Sequence, residues 1–533
     1  MPGPYSRAMT SDVLIIGTGH NALVCAFYLA ERGIRVRMIE SRSVVGGAAV
    51  TEEFHPGFRN STASYTVSLL NPKIIRDMRL YQHGLKVVLR RIDNFLPTTG
   101  GDYLLSGRGG LTKREIARHA PADAEHYDAY SAALQSVVGL LRQWLLRAPP
   151  NAGGGLADLA ALLKLGAGVN RLGLEQQRQL VDFFTKSAAD ILARYFSHEL
   201  VQALFGFDAV VGHYASPYAP GSAYVLLHHV FGEAAGVEGA WGHAIGGMGA
   251  ITQAMAKAVR EAGVEIILDT PVEEVIVERG KAAGVAAGGK TYRARAVVAG
   301  VHPKRLFTEL LPEGAVAEAP ARRMAHWASE SATFRMNVAL SELPRFTALP
   351  EPGDHLTAGI IVAPSLAYMD RAYLTARTEG FSKEPIVEML IPSTLDDSLA
   401  PEGSHVASLF CQHFPYAVAG GWDARRDEAA DAIIAHVDRY APGFKTSVIG
   451  RLALSPLDLE RRFGLIGGDI FHGKMGLDQL FSNRPMLGHA DYRMPLKGLY
   501  LCGAGAHPGG GVTGAPGHNA AQAVLKDRRR LGI

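Results

Sequence analysis

Runs of apolar residues along this chain change period at fixed points, and those changes mark its elements. Residues 12–40 read DVLIIGTGHNALVCAFYLAERGIRVRMIE. The unbroken apolar run 13–16 predicts a strand covered on both faces. Leu23, Ala26, Phe27 and Ala30 follow at helical spacing, Gly33 predicts the stop, and 36–39 predicts a second strand ending at Glu40. Between 246 and 300 the pattern is helix, strand, meander, strand. Ile251, Met255, Ala258 and Val259 share one helical face up to Gly263, and 264–268 reads as a strand. Residues 272–277 and 282–286 alternate around Arg279-Gly280, and 296–299 returns as an apolar strand. A third stretch, GLYLCGAGAHPGGGVTGAPGHNAAQAVL at 498–525, opens like a strand and closes like a helix, with eight glycines in twenty-eight positions. The helix is predicted to begin near Gly511 and Val512.

The first stretch is a βαβ unit with chemistry at its turn. Gly17 permits a tight turn, and Gly19 lets a pyrophosphate approach bare backbone. Ala22 is small enough for close helix–strand packing, and the helix N-terminus offers N–H groups and a positive dipole end to phosphates. His20 and Asn21 sit on that first turn and are expected to face the pyrophosphate. Glu40 stands where a carboxylate accepts hydrogen bonds from an adenosine ribose. The unit predicts dinucleotide binding.

Ser41-Arg42-Ser43-Val44-Val45-Gly46-Gly47-Ala48 follows directly. This second glycine pair resembles the FAD-binding signature of glutathione reductase-like flavoproteins, in the branch of amine oxidases and carotenoid desaturases. The phrases GAWGHAIGGMGAITQAMA (239–256), GGDIFHGKMGLDQLF (467–481) and YLCGAGAHPGGGVTGAPGHNAA (500–521) look like the carotenoid (phytoene) desaturase and isomerase group. They are similar in particular to its phytoene dehydrogenase-related subgroup and to pyridine nucleotide-disulphide oxidoreductase domain-containing proteins, though the dithiol is missing. The resemblance implies an α/β fold: a Rossmann-type FAD-binding domain assembled from three segments (10–84, 239–304 and 483–533). An α+β substrate domain (85–238, helical and apolar, and 305–482, containing a sheet that would roof the flavin) completes it. It implies that FAD lies on Gly17, Gly19, His20, Asn21, Ala22, Glu40, Ser41, Arg42, Gly46, Gly47 and Ala48, with Val272 against the adenine. Gly503, Ala504, Gly511 and Val512 would pass the ribityl chain and the ring. Two positions depart from the group: Ala504 replaces an acid, and GFRNSTA at 57–63 replaces GFxFDxG.

The catalytic side is less marked. His507 is the candidate for a proton relay beside the flavin, and His472 and His243 are candidates for lining the substrate cavity. No GxSxG, HExxH or EF-hand pattern occurs, so hydrolytic and metal chemistry are not expected. The expected activity is FAD-dependent hydride exchange with a hydrophobic substrate of isoprenoid, polyene or lipid type, by desaturation or by redox-neutral isomerisation or saturation. With a single dinucleotide fingerprint, electrons would leave to oxygen, a quinone or a carrier. An amine oxidase-like flavoenzyme, or a flavoprotein with a binding or scaffolding role, shares the same residues.

Composition narrows the partners. A net charge of +3 with 20% charged residues does not suggest nucleic acid. Cys25, Cys411 and Cys502 are far apart in apolar runs, which predicts buried free thiols. MPGPYSRAMT lacks an apolar leader core and no apolar run is long enough to span a bilayer, so a cytoplasmic protein is expected. The segments 134–146 and 156–166 are strongly apolar and predict core helices, tunnel walls or peripheral membrane contact. Oligomeric state is not readable here.

Overall fold

A computed structural model describes residues 11–151 and 154–533. The N-terminal MPGPYSRAMT lies outside the described residues, as do Ala152 and Gly153. The fold is mixed α/β, built on two large sheets.

The first sheet runs Glu265–Ile267, Val36–Ile39, Ser11–Ile16, Lys290–Ala299, all parallel. The long strand Lys290–Ala299 then meets two partners. Its start pairs antiparallel with Lys281–Ala287, which pairs in turn with Val272–Glu278, and its end pairs parallel with Leu499–Leu501. The hairpin turn falls where the sequence places it, with Arg279 and Gly280 both at positive φ, the geometry of a two-residue primed turn. The helix His20–Ala30 buries Asn21 through Tyr28 and Leu29 with almost no polar side, because it lies between this sheet and the helix Ala515–Leu531. The approach is close: a Cβ on Gly517 would lie 1.9 Å from the Asn21 carbonyl oxygen. Helix Met248–Glu261 packs Ile251, Met255, Ala258 and Val259 into the same core. That core continues through Leu306, Leu310 and Trp327, past the boundary expected at 304.

The terminal helix starts later than expected. Gly514, at φ +74°, caps it, and Ala515-Pro516 opens its first turn, so Gly511 and Val512 belong to the preceding loop. Proline pre-set for a first helical turn was the available signal.

The second sheet runs Val448–Leu454, Thr333–Leu340, His405–Gln412, Ile386–Leu390, Gly359–Val362, Asn94–Pro97, Tyr103–Ser106. Its last two strands come from the stretch expected to be helical. One face packs Phe334, Met336, Val338, Val387, Met389, Leu409 and Cys411 against Ile433, Ile434 and Val437 of the helix Trp422–Asp438. The other face carries Arg335, Asn337, Glu388, Ser408 and Gln412, and it too is buried.

The apolar helices divide. Pro121–Leu145 buries Tyr130, Leu134, Val137 and Val138 in a helical core, whereas Leu156–Asn170 buries no residue and leaves Leu156 85% and Leu163 66% exposed. The latter is therefore neither a core helix nor a tunnel wall. No helix of the described residues is long and apolar enough to cross a membrane. All three cysteines are free and buried.

Candidate functional site

A cavity of about 540 Å³, in the size range of small-molecule sites, opens where the two sheets face each other. Its floor is the turn after Ser11–Ile16. Gly17 takes φ +88°, and a Cβ on Gly19 would meet nothing within 4 Å, so the space over Gly19 is open. Gly46 and Gly47 close on this turn from the side: the Gly46 N–H donates to the Thr18 carbonyl at 3.0 Å, and Gly19 and Gly46 form a parallel bridge. A Cβ on Gly46 would lie 2.6 Å from Thr252 Oγ1. Gly46 thus builds the turn without lining the cavity, while Gly47 and Ala48 line it.

The helix that starts at His20 has no side-chain cap and no acid in its first turn, which leaves its positive end facing the cavity. Asn21 Oδ1 is buried there without a partner among the described residues. The His20 imidazole reaches the Gly511 carbonyl at 3.2 Å, and burial pushes its pKa down to about 4 against that bond, so the ring is neutral at pH 7. Glu40 is tied on both oxygens. Oε2 accepts from the Thr18 N–H and hydroxyl at 2.8 and 2.7 Å, and Oε1 accepts from the Ser41 hydroxyl and the Arg42 N–H at 3.1 and 3.0 Å. Two of these four donors are hydroxyls, which can turn aside for another donor. Arg42 is held by Glu52 at 2.7 Å and lies 5.0 Å over the Phe463 ring. Ser41, Arg42 and Val272 all line the same end of the nucleotide turn.

The opposite wall is the Gly-rich loop. Gly503, Ala504, Gly511 and Val512 line the cavity together with Gly300 at the end of the adjacent strand. A Cβ on Gly503 would lie 3.1 Å from the Gly300 oxygen and 3.2 Å from the Val301 oxygen, so this crossing leaves little room for a side chain. Ala504 offers no carboxylate. Its carbonyl instead accepts from the fully buried Arg484, at 3.2 Å from Nε and 2.8 Å from Nη2, and Arg484 also donates to the Phe471 carbonyl at 2.7 Å. One cation under the loop therefore fixes its shape.

His507 does not line the cavity. Its Nε2 meets the Trp144 carbonyl at 3.1 Å, its own carbonyl accepts from the Tyr492 hydroxyl at 2.8 Å, and its ring stands edge-on to Phe481. The expected proton relay has no geometry here, because the histidine turns outward to lock the Gly-rich loop onto the end of helix Pro121–Leu145. His243 is likewise taken up, bonded to Asp396 at 2.9 Å. His472 does line the cavity, with burial holding its pKa at about 3.

The far end was not anticipated. The Arg335, Glu388 and Phe410 side chains come down from the second sheet to meet Tyr65 and Asp208. The Tyr65 hydroxyl donates to Glu388 Oε2 at 2.6 Å, Arg90 Nη1 lies 3.9 Å from Glu388 Oε1, and the Arg335 guanidinium sits 4.4 Å over the Tyr65 ring. Gly359 makes room for the ion pair: a Cβ there would lie 2.7 Å from Glu388 Oε1 and 2.9 Å from Arg90 Nη1.

A nucleotide turn, an open glycine, an unpartnered carboxamide oxygen and a Gly-rich loop facing a substrate sheet define a flavin-dependent oxidoreductase. The chain belongs to the family of flavin containing amine oxidoreductases, whose pattern matches residues 23–334. It is 40% identical over 550 residues to the rat (Rattus norvegicus) pyridine nucleotide-disulfide oxidoreductase domain-containing protein 2, covering 98% of this chain and 94% of that one. It is 26% identical to the neurosporene-forming phytoene desaturase of Cereibacter sphaeroides, covering 98% and 96%. Among solved structures, putrescine oxidase bound to putrescine matches 98% of this chain and 99% of its own with a TM-score of 0.61 at 15% identity, a likeness of fold. The cofactor is FAD, and the resemblance to phytoene desaturases read from the sequence holds.

Proposed function

We propose that the chain exchanges hydride between FAD and a largely apolar organic substrate, desaturating it or isomerising or saturating a double bond. The observation that carries this reading is the continuity of the cavity. From the loop at Gly503 and Gly511 it runs on to a wall of Leu69, Phe207, Val211, Phe410, Ile470 and Phe471. Bound FAD would supply a hydride acceptor or donor at its N5, and positioning the substrate then carries most of the catalytic burden. On this reading three stretches of chain, around 11–70, 248–302 and 499–512, hold the cofactor. Gly17, Gly19 and Gly47 give the pyrophosphate its backbone contact, and Glu40 orients the ribose. The apolar wall excludes water from the reacting carbon, and the neutral His20 and His472 add no charge beside it. Reducing equivalents pass to oxygen, a quinone or a carrier. The same reading lets the substrate arrive from a bilayer met by the exposed leucines of Leu156–Asn170.

The test is anaerobic titration of the FAD-loaded protein with panels of apolar alkenes, saturated counterparts and amines. Bleaching of the visible flavin band by the apolar panel supports the proposal. Bleaching by amines with peroxide release in air would replace it with amine oxidation, and inertness to both panels would leave a binding role.

A further inference from the structure

We infer that the substrate carries an anionic group, a carboxylate by preference, which docks on Arg335 at the sheet-covered end of the cavity. This deepens, and rests on, the reading of a largely apolar substrate. Arg335 is 1% exposed and lines the cavity. Its Nε donates to the Ala63 carbonyl at 2.9 Å and its Nη2 to the Ser408 hydroxyl at 2.6 Å, but its buried Nη1 has no partner among the described residues. A buried cation with an unused donor is costly to keep unless an acceptor arrives.

Local charges leave that role open. Glu388, the nearest fixed anion, is engaged by the Tyr65 hydroxyl and faces Arg90, and no ion pair joins it to Arg335. Asp208 also lines this end, but burial, reinforced by the nearby Glu388, pushes its pKa up to about 8, so it is uncharged at pH 7. Arg90 thus has both Glu388 and Asp93 near it, whereas Arg335 has no ion-pair partner among the described residues. An ammonium group would be repelled by the Arg335 guanidinium, and a carboxylate would pair with it.

The shape of the sheet points the same way. In Thr333–Leu340 the residues on one face are Phe334, Met336 and Val338, and on the other Arg335 and Asn337. Such alternation ordinarily puts polar residues in water. Here that face is buried, and Arg335 and Glu388 from it line the cavity. A polar face withdrawn from solvent, with Arg335 Nη1 unsatisfied among the described residues, suits a ligand bearing polar atoms at one end.

The experiment uses FAD-loaded protein, decanoate and methyl decanoate, with perturbation of the flavin spectrum as the readout. Wild type is expected to bind the acid at least about tenfold more tightly than the ester, roughly 1.4 kcal/mol. Arg335→Met, of similar length without the charge, should lose that preference while keeping its FAD content and its affinity for the ester, and Arg335→Lys should retain part of it. Equal binding of acid and ester by wild type would overturn the anionic subsite and leave the apolar cavity standing. If neither ligand perturbs the flavin, the apolar-substrate reading fails, and the subsite with it. The wild-type comparison decides the question even if Arg335→Met does not fold.

Discussion

At the residue scale, Gly19 separates fold from ligand. Its φ is −59°, an ordinary value for any residue, and its missing Cβ would touch no protein atom. Gly19→Ala should therefore leave the melting temperature of the cofactor-free protein unchanged or slightly raised, since alanine has less chain entropy to lose. FAD affinity should fall by about tenfold or more, because the methyl occupies the space a phosphate needs. Absorbance of the purified protein and a flavin titration check both halves, and a variant with full FAD content would show that no phosphate sits there. Gly46 is the contrasting case: it was readable as part of the glycine pair but not as the member that packs on Thr252. A glycine in sequence announces missing bulk without saying which neighbour needs it. His507 failed as a catalytic reading for a related reason. Closeness in sequence to a Gly-rich loop does not fix which side of that loop a ring turns to, and here Trp144, distant in sequence, supplies the acceptor.

At the element scale, the βαβ unit and the hairpin at Arg279-Gly280 were readable because local period and turn residues agree with the fold. The polar face of the second sheet was not. Alternation in TFRMNVAL tells which residues share a face, and nothing in it tells whether water or a cavity lies beyond. Finding Arg335, Glu388 and Tyr65 required bringing together strands and a loop far apart in the chain, 323 residues in the case of the Tyr65–Glu388 bond. Helix Leu156–Asn170 shows the converse, an apolar element that the fold leaves outside. Because Leu159 and Leu163 are 51% and 66% exposed, the double variant Leu159→Glu, Leu163→Glu should shift stability by no more than about 0.5 kcal/mol. Co-sedimentation with lipid vesicles should drop in the same variant, and unchanged sedimentation would remove this helix from any membrane contact.

At the scale of the whole molecule, buried histidines set the response to acid. Burial holds His228, His413 and His472 at about 3 and His20, His213, His229, His436 and His507 at about 4, well below an unfolded histidine. The unfolded chain therefore binds more protons as pH falls below about 6.5, and each group then removes on the order of 1 kcal/mol per pH unit until its folded pKa is reached. Asp208 and Asp469, raised by burial to about 8 and about 6, act in the opposite sense, gaining stability as pH falls, but they are outnumbered. Denaturant midpoints should rise slightly as pH falls from 8 to 6.5, where Asp208 acts alone, and fall steeply from pH 6 to 4, and a flat profile across that lower window would show these histidines to be solvated. The order of the strands has a further consequence, for synthesis. Leu499–Leu501 enters the first sheet beside a strand made two hundred residues earlier, and the loop behind it forms one wall of the cavity. A nascent chain that has reached residue 490 thus holds the nucleotide turn but leaves the flank of Val297–Ala299 without its neighbour. On the proposed reading of the cofactor site, flavin capture awaits the last strand, and until then the open edge is a surface for a chaperone to cover.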